Sequence, residues 1–292
     1  MKSTITPSYR VKDFYKDFIS NMKESELKKI YNTKEKILIQ KEQNLKDNAK
    51  KSELNQCPHS LLPDDQLEID DYKRLYEKFR KSKKTQSVRK YLLNQISGNA
   101  CVYCEKRSGN DTLDHVLPKS NYPYLTVSPL NLVSSCSTCN SKKGATITNL
   151  VHPYFDEFNS RKFVSCEIEL VCLSSKYHIV TKFNFLSFGN TLEEQRLSQK
   201  LQTTFNELEL ANRYSEYCVP IVNENILKWQ TELKLRGTQS LVGRLKDDLN
   251  ALKNQYSNNS CVVPFYESLI NSLDNGNISS ADFLKIESPT HI

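Results

Sequence analysis

Four cysteines near the middle of the chain have the spacing of metal ligands. Two Cys-x-x-Cys pairs, Cys101/Cys104 and Cys136/Cys139, are separated by 31 residues (105–135). Each pair can present two thiolates to one ion from a tight turn, and two such turns complete a tetrahedral zinc site. Buried free thiols or a redox pair are alternatives, but two identical spacings around a polar insert favour zinc. Because four cysteines close the coordination sphere, we expect a structural zinc that stabilises a module with little core of its own.

The insert between the two pairs contains further residues whose types could carry chemistry. Asp114 and His115 are adjacent, a proline follows at position 118, and Asn131 lies near the end of the insert. Asn140 comes directly after the last cysteine. Residues 112–113 and 129–133 have the apolar character of short extended pieces, and residues 139–144 indicate the start of a helix.

This strand, strand, helix order resembles the HNH endonuclease domain, and so do the Asp-His, Asn-Leu and Cys-Asn steps between and beside the cysteine pairs. That domain is a ββα-metal finger, here flanked by zinc knuckles. The resemblance covers about residues 98–155, about a fifth of the chain. Small bacterial proteins of this kind are similar to the nuclease subunits of anti-phage systems such as Septu, in which an ATPase partner is expected.

The resemblance implies a role for each of four residues. His115 corresponds to the histidine that activates water as a general base, which suits an imidazole whose unperturbed pKa lies near neutrality. Asp114 corresponds to the carboxylate that binds a catalytic divalent ion, and Asn131 to the asparagine that orients the hairpin and the base. Asn140 occupies the final position, where relatives often carry histidine. Oxygen ligands from Asp114 and Asn140 favour Mg²⁺ or Mn²⁺ over zinc at this second site.

The chemistry itself fits these residue types. Hydrolysis of a phosphodiester requires an activated water on one side of the phosphorus and neutralisation of charge on the other. His115 would supply the first and a hard cation the second. Lys142 and Lys143 are expected at the start of the finger helix, where they and the backbone N–H groups would contact the scissile or adjacent phosphate. The alternative is that Asp114 caps a turn and His115 only packs.

The net charge of +7 is concentrated in the N-terminal third of the chain. Residues 1–100 carry 22 Lys and Arg against 14 Asp and Glu, whereas residues 101–292 carry 19 against 20. A positive field of this kind raises the local concentration of polyanions, nucleic acid first among them. A lysine-rich, solvated helical surface is the alternative explanation.

A basic strip directly precedes the cysteine cluster. Residues 78–90, KFRKSKKTQSVRK, crowd seven cations into thirteen positions. The strip is the best candidate for a surface that binds phosphates, with a solvated helix end as the alternative. We predict nucleic-acid contacts from Arg80, Lys81, Lys83, Lys84, Arg89 and Lys90.

Together with the resemblance, the hydrophobic periodicity predicts an α+β fold: a mostly helical chain with a central ββα-metal finger stapled by zinc, and a C-terminal β-hairpin plus helices. We expect a basic helical region at residues 1–97, the nuclease domain at 98–158, and a docking or substrate-shaping domain at 159–292. His152, in the run VHPYFD, is expected to pack rather than to react.

Individual elements can be predicted more closely. Residues 34–51 are expected to form a solvated helix or partner-facing arm, and residues 63–65 to open the next helix. A hairpin is expected at 163–185, and a helix at 191–217. A longer helical stretch at 222–256 should bend near Gly237 and Gly243. The neutral charge of this last third favours a protein partner there over DNA.

The absence of an apolar run long enough for a membrane span, and of an apolar signal-peptide core in MKSTITPSYR, predicts a cytoplasmic protein. Two classes of function remain. The first is a metal-dependent HNH endonuclease that cuts DNA, with RNA left open, as the nuclease effector of an anti-phage system. The second is a non-catalytic zinc module that binds nucleic acid or a protein partner.

Overall fold

The computed structural model describes residues 1–50, 60–96, 99–107, 112–145, 150–174 and 176–287. The chain forms two compact units. The finger unit is Ser3–Glu157, and the C-terminal unit is Phe158–Ile292 with Met1–Lys2. The N-terminal helices and the finger therefore lie in one unit. The boundary predicted between positions 97 and 98 falls outside the described residues.

Among the described residues, five α-helices precede the finger in its unit. They are α1 (Tyr15–Ser20), α2 (Glu26–Thr33), α3 (Glu35–Lys50), α4 (Ile69–Lys81) and α5 (Gln86–Leu93). At α2 and α4, polar side chains at the N-terminus satisfy backbone N–H groups that have no partner within the helix. The Ser25 hydroxyl accepts from the N–H of Lys28, and Glu68 and Asp71 form a reciprocal capping box at α4.

Helix α4 begins at Ile69, later than the predicted start at residues 63–65, because Asp65 has other partners. Its carboxylate accepts hydrogen bonds from Lys34 Nζ at 2.6 Å, Tyr124 Oη at 2.6 Å and Tyr72 Oη at 3.0 Å. Burial alone would raise the pKa of Asp65, but these hydrogen bonds lower it. Asp65 thus connects the junction of α2 and α3, helix α4 and the finger instead of capping a helix.

The N-terminal helices supply the core that the small finger lacks. Side chains on α4, including Tyr76 and Phe79, share one buried apolar cluster with Leu113 and Leu132 of the finger. Helix α3 was expected to be a solvated or partner-facing arm, but it is packed: Leu38 is fully buried in that same cluster. Burial of apolar area is the main stabilising contribution available to such a module.

The finger has the predicted strand, strand, helix order. Strands β1 (Thr112–His115) and β2 (Leu132–Ser135) pair antiparallel, with His115 opposite Leu132. Residues Pro129–Asn131, expected to be extended, form a 3-10 turn before β2. Helix α6 spans Ser137–Lys143, so it begins two residues before the predicted start at 139.

The early start of α6 corrects the expected position of two lysines. Lys142 and Lys143 lie in the last turn of α6, just before Gly144, which takes a positive φ of 55°. The free backbone N–H groups of a helix are at its first turn. These N–H groups therefore do not lie beside the two lysines, and the predicted joint contact to one phosphate is wrong.

The C-terminal unit contains the predicted β-hairpin and helices. Strands β3 (Val164–Leu173) and β4 (Lys176–Phe185) form the hairpin, and Ser175, which lies between them in the sequence, is outside the described residues. The helices are α7 (Leu192–Glu207), α8 (Leu210–Arg236), α9 (Thr238–Lys253), α10 (Val262–Asp274) and α11 (Ser280–Phe283). None of the described helices combines the length and the apolar character needed to cross a bilayer.

One predicted helix in this unit is divided in two, and another is interrupted at only one of its two expected positions. The helix expected at 191–217 is broken at Glu209, whose φ of 48° is left-handed. Gly237, with a φ of 83°, separates α8 from α9 as expected. Gly243 lies inside α9, so the helix is not broken there.

Candidate active site

The four cysteines of the two pairs converge on one point in the finger. Their Sγ atoms all lie within 4.8 Å of one another, and all four residues are buried. The first pair is held to β2 because the N–H of Val102 donates to the carbonyl of Ser134 at 3.1 Å. The second pair is set by α6, where Cys136 is the N-cap and its Sγ accepts from the N–H of Cys139. This cluster could bind a zinc ion tetrahedrally.

Proton sharing among these sulfurs agrees with such a site. The pKa of the Cys136 thiol is held well below its usual range by hydrogen bonds from Cys101, Cys104 and Cys139. Hydrogen bonds with Cys101, Cys104 and Cys136 raise the pKa of Cys139. A thiolate is the form that ligates metal.

The hydrogen bond of His115 determines which of its ring nitrogens can act as a base. Its Nε2 lies 2.8 Å from the carbonyl oxygen of Thr126. A carbonyl oxygen only accepts, so Nε2 carries the proton and Nδ1 has the free lone pair. Burial, together with the positive charges of Lys119 and Lys143 and against the opposing effect of the hydrogen bond to Thr126, lowers the pKa of His115 to about 3. The imidazole is therefore neutral at physiological pH, as a general base must be.

Asp114 is buried next to His115 and accepts from two side chains. Tyr103 Oη donates to Oδ2 at 2.8 Å, and Lys143 Nζ lies 3.3 Å from Oδ1. Lys143 also donates to the carbonyl of His115 at 2.6 Å. At 2% exposure Lys143 is inside the finger. This placement differs from the expected one, in which Lys143 would face a substrate phosphate.

The side chain of Asn131 joins two parts of the loop between β1 and β2. Its Oδ1 accepts from the N–H of Leu117 at 2.8 Å, and its Nδ2 donates to the Leu117 carbonyl at 2.9 Å. Nδ2 also lies 3.3 Å from the carbonyl of Leu125, the residue before Thr126. The asparagine thereby fixes the turn that presents the Thr126 carbonyl to His115.

A cleft of about 710 Å³ brings the finger together with the helices before it. Asp114, His115 and Asn140 line it on the finger side. From the basic strip, Arg80, Lys81 and Arg89 line it too, whereas Lys83, Lys84, Lys90 and Lys142 are not among its described lining residues.

Lys73, Tyr76 and Lys119 also line the cleft, and they were not among the site residues predicted from the sequence. The ring of Tyr76 meets the ring of His115 edge-on at 4.4 Å between centroids, and Lys119 Nζ lies 4.8 Å from the centre of the Tyr76 ring. The spacing of residues along α4 could have identified Lys73 and Tyr76 from the sequence. Lys73, Tyr76 and Arg80 are spaced by three and four residues, so they share one face of α4.

Two oxygen-bearing side chains of this cleft fit a hard divalent cation. The Asp114 carboxylate and the Asn140 side chain both line it, on β1 and α6 respectively. Carboxylate and amide oxygens are ligands that Mg²⁺ and Mn²⁺ prefer. His152, by contrast, is fully buried outside the cleft lining and packs on the ring of Phe155 at 4.6 Å.

The arrangement of a four-cysteine cluster, an antiparallel strand pair carrying Asp-His, and a helix after the last cysteine has a counterpart among known families. Residues 101–146 match the HNH endonuclease family. The HNH match contains the cysteine cluster, both finger strands and α6, while Lys73, Tyr76, Arg80 and Arg89 lie before it. The cleft is thus formed partly by the HNH domain and partly by helices outside it.

Two curated proteins are similar to a part of this chain. The Septu protein PtuB of Bacillus thuringiensis is 46% identical over 59 residues, which cover 19% of this chain and 23% of that protein. Protein ea31 of Escherichia phage lambda is 37% identical over 67 residues, covering 21% of this chain and 23% of that protein. The chain thus spans about a quarter of the length of these relatives. No solved structure matches. The HNH match and these similarities support a nuclease role.

Proposed function

We propose that this protein is a metal-dependent HNH endonuclease that hydrolyses phosphodiester bonds of nucleic acid, with DNA as the substrate. The observation that carries the proposal is the tautomer of His115. Its Nε2–H is bound to the Thr126 carbonyl, so Nδ1 is a neutral base beside the Asp114 carboxylate in a cleft lined by cations.

The chain's own residues supply most of the reaction. His115 Nδ1 accepts the proton of the attacking water, while the Thr126 carbonyl stabilises the imidazolium that forms. Asn131 holds the turn that carries this carbonyl. Asp114 and Asn140 would hold the Mg²⁺ or Mn²⁺ ion, which when bound neutralises charge on the phosphate and the leaving oxygen. Arg80, Lys81 and Arg89 attract the phosphodiester backbone to the cleft.

The cysteine cluster has a separate, structural task in this proposal. A zinc ion held by Cys101, Cys104, Cys136 and Cys139 would fix the start of α6 against β2. All four positions would be filled by cysteine, which leaves no open place for substrate or water. Reduced thiols of this kind also fit the predicted cytoplasmic location.

The biological setting rests on the similarity to the Septu protein PtuB. We propose that the chain is the nuclease effector of an anti-phage system and that an ATPase partner controls it. In this scheme the basic region 1–97 and the nuclease domain 98–158 bind and cut nucleic acid, and 159–292 docks the partner or shapes the substrate. Such control would protect host DNA from uncontrolled cutting.

A purified-protein assay tests the enzyme. The assay uses three substrates: supercoiled plasmid, linear single-stranded DNA and RNA. Each is incubated with Mg²⁺ or Mn²⁺ and with wild type, His115→Ala or His178→Ala. Every reaction is run with the protein alone and, where the source encodes one, with the neighbouring ATPase. We expect cleavage by wild type and by His178→Ala, whose histidine lies in β4, and loss of at least about a thousandfold with His115→Ala. Cleavage that survives in His115→Ala contradicts the proposal.

One observation favours the second class, a non-catalytic zinc module that binds nucleic acid or a protein. Both oxygens of Asp114 already accept from protein donors, Tyr103 and Lys143. If both of these hydrogen bonds persist when substrate is bound, Asp114 does not ligate an ion. The module then binds its target equally well with His115→Ala and in the presence of EDTA, and no cleavage is seen under any condition.

A further inference from the structure

We propose that Lys73, Arg80 and Lys119 form a subsite in the cleft that binds a backbone phosphate of the substrate next to the scissile one. The inference rests on the proposed nuclease function and extends it. Two of these residues, Lys73 and Lys119, belong to no motif, and Lys73 and Arg80 lie before the region that matches the HNH family.

The first support is geometric. Lys119 Nζ lies 4.8 Å from the centre of the Tyr76 ring, and the ring of His115 contacts that same ring at 4.4 Å between centroids. The ammonium and the general base are therefore both neighbours of one aromatic ring. Successive phosphates along a strand are several ångströms apart, so an ammonium that shares an aromatic neighbour with His115 is placed for the phosphate next to the one at which His115 activates the attacking water.

The second support comes from α4. Lys73 is three residues before Tyr76 and Arg80 is four residues after it, so all three side chains leave the same face of the helix. All of them line the cleft. Tyr76 donates from its hydroxyl to the Leu113 carbonyl at 3.0 Å, which fixes this face of α4 against β1.

The third support is the charge of the cleft. Among the described residues, five cations line it against two carboxylates, Glu77 and Asp114. Arg80 pairs with Glu77 at 3.2 Å and Lys73 with Asp70 at 2.8 Å, but both pairs are exposed and three residues apart on one helix. Exposed pairs of this type are weak and are readily exchanged for a phosphate.

Repulsion among the positive charges of Lys73, Arg80 and Lys119 also supports a phosphate site. Lys119 is half-buried, and burial together with the charges of Arg80 and Lys73 lowers its pKa, against the opposing effect of Glu77. A bound phosphate would relieve this repulsion, since its two non-bridging oxygens share a negative charge and can accept from several of these donors at once.

Binding to labelled oligonucleotides in EDTA tests the subsite without cleavage. The full chain carrying Lys73→Gln and Lys119→Gln is compared with Lys16→Gln and Lys23→Gln. The control pair removes the same charge from exposed positions of the same unit that do not line the cleft. We expect the cleft pair to weaken binding by about tenfold or more and to lower the salt slope by about two, and the control pair to weaken it by about twofold at most. Equal losses in the two pairs, or none in the cleft pair, overturn the subsite.

Cleavage kinetics separate this inference from the proposed function. In Mg²⁺, the cleft pair should raise KM by a similar factor while kcat falls less, because substrate positioning is lost and the base is kept. If wild type cleaves and both pairs behave alike, only the subsite is wrong. If wild type binds with the expected difference between pairs but cleaves nothing, the nuclease proposal fails and the phosphate subsite stands. If wild type binds neither DNA nor RNA, both are wrong.

Discussion

His115 donates its Nε2 proton to the carbonyl oxygen of Thr126 across 2.8 Å. The two residues lie eleven positions apart, and Asn131 braces the turn between them through its bond to the Leu125 carbonyl. A backbone carbonyl has no alternative role as a donor, so the tautomer of His115 is determined by the fold. The free Nδ1 is a consequence of this bond, whereas the low pKa of the ring comes from its burial, against the opposing effect of the bond.

The buried pair of Lys143 and Asp114 should be costly to break. In Lys143→Met, the Asp114 carboxylate keeps only the Tyr103 hydroxyl as a side-chain partner, and the His115 carbonyl loses a donor. We expect a loss of about 3–5 kcal/mol in the free energy of unfolding, measured by urea titration. Lys142→Met removes the same charge from an exposed neighbour and should change stability by less than about 0.5 kcal/mol. Similar losses for the two variants would show that the pair contributes little.

Tyr76 should act on His115 through its ring rather than its hydroxyl. Tyr76→Phe keeps the edge-on contact and loses the bond to the Leu113 carbonyl, so we expect about 1–2 kcal/mol of lost stability with cleavage largely retained. Tyr76→Leu removes the ring that packs on the base and should lower kcat by about tenfold or more beyond the effect on stability. A comparison of kcat for the two folded variants tests whether the Tyr76 ring positions His115. Equal kcat values would exclude that role.

Removal of a cysteine ligand should unfold the finger, whereas removal of the catalytic ion should not. In Cys139→Ser the cluster has three thiols left, and we expect loss of bound zinc and of the cooperative thermal transition of the finger. Cys172→Ser alters an exposed cysteine outside the cluster and should retain both. Zinc content by mass spectrometry and thermal melting report the outcome. EDTA that abolishes cleavage while zinc and the melting temperature are kept would identify a second, weaker ion site.

The low pKa of His115 predicts that the finger loses stability in acid. The ring titrates near 6.5 when unfolded and at about 3 when folded, so the unfolded chain binds the proton more tightly. The stabilising effect is complete above about pH 6.5 and is lost as the pH falls towards about 3. Between about pH 8 and pH 5 it should amount to about 2 kcal/mol.

His115→Gln provides the comparison for this pH effect. The variant cannot titrate at this position, while the cysteine cluster and all carboxylates remain the same in both proteins. The difference in unfolding free energy between wild type and His115→Gln should therefore shrink by about 2 kcal/mol from about pH 8 to pH 5. A difference that does not change with pH would mean that the folded ring titrates near its ordinary value.

The sequence by itself determined the finger. Its residues form local patterns that can be recognised in the sequence alone, because their types and spacings follow from zinc binding, the hairpin and the expected hydrolysis. These patterns are the two Cys-x-x-Cys pairs, Asp114-His115, Asn131 and Asn140. The α+β fold and the C-terminal hairpin followed from periodicity and turn residues for the same reason.

Only the tertiary structure decided which of the many cations face the site and where the carboxylates are used. Lys73, Tyr76 and Lys119 join His115 because α4 packs across β1, a contact between distant segments of the chain that no local pattern encodes. Asp65 lies outside α4 because Lys34, Tyr72 and Tyr124 all donate hydrogen bonds to its carboxylate. Lys143 lies inside the finger because its ammonium pairs with the buried carboxylate of Asp114. Long-range packing and the requirement that buried charges be paired override local propensity at these positions.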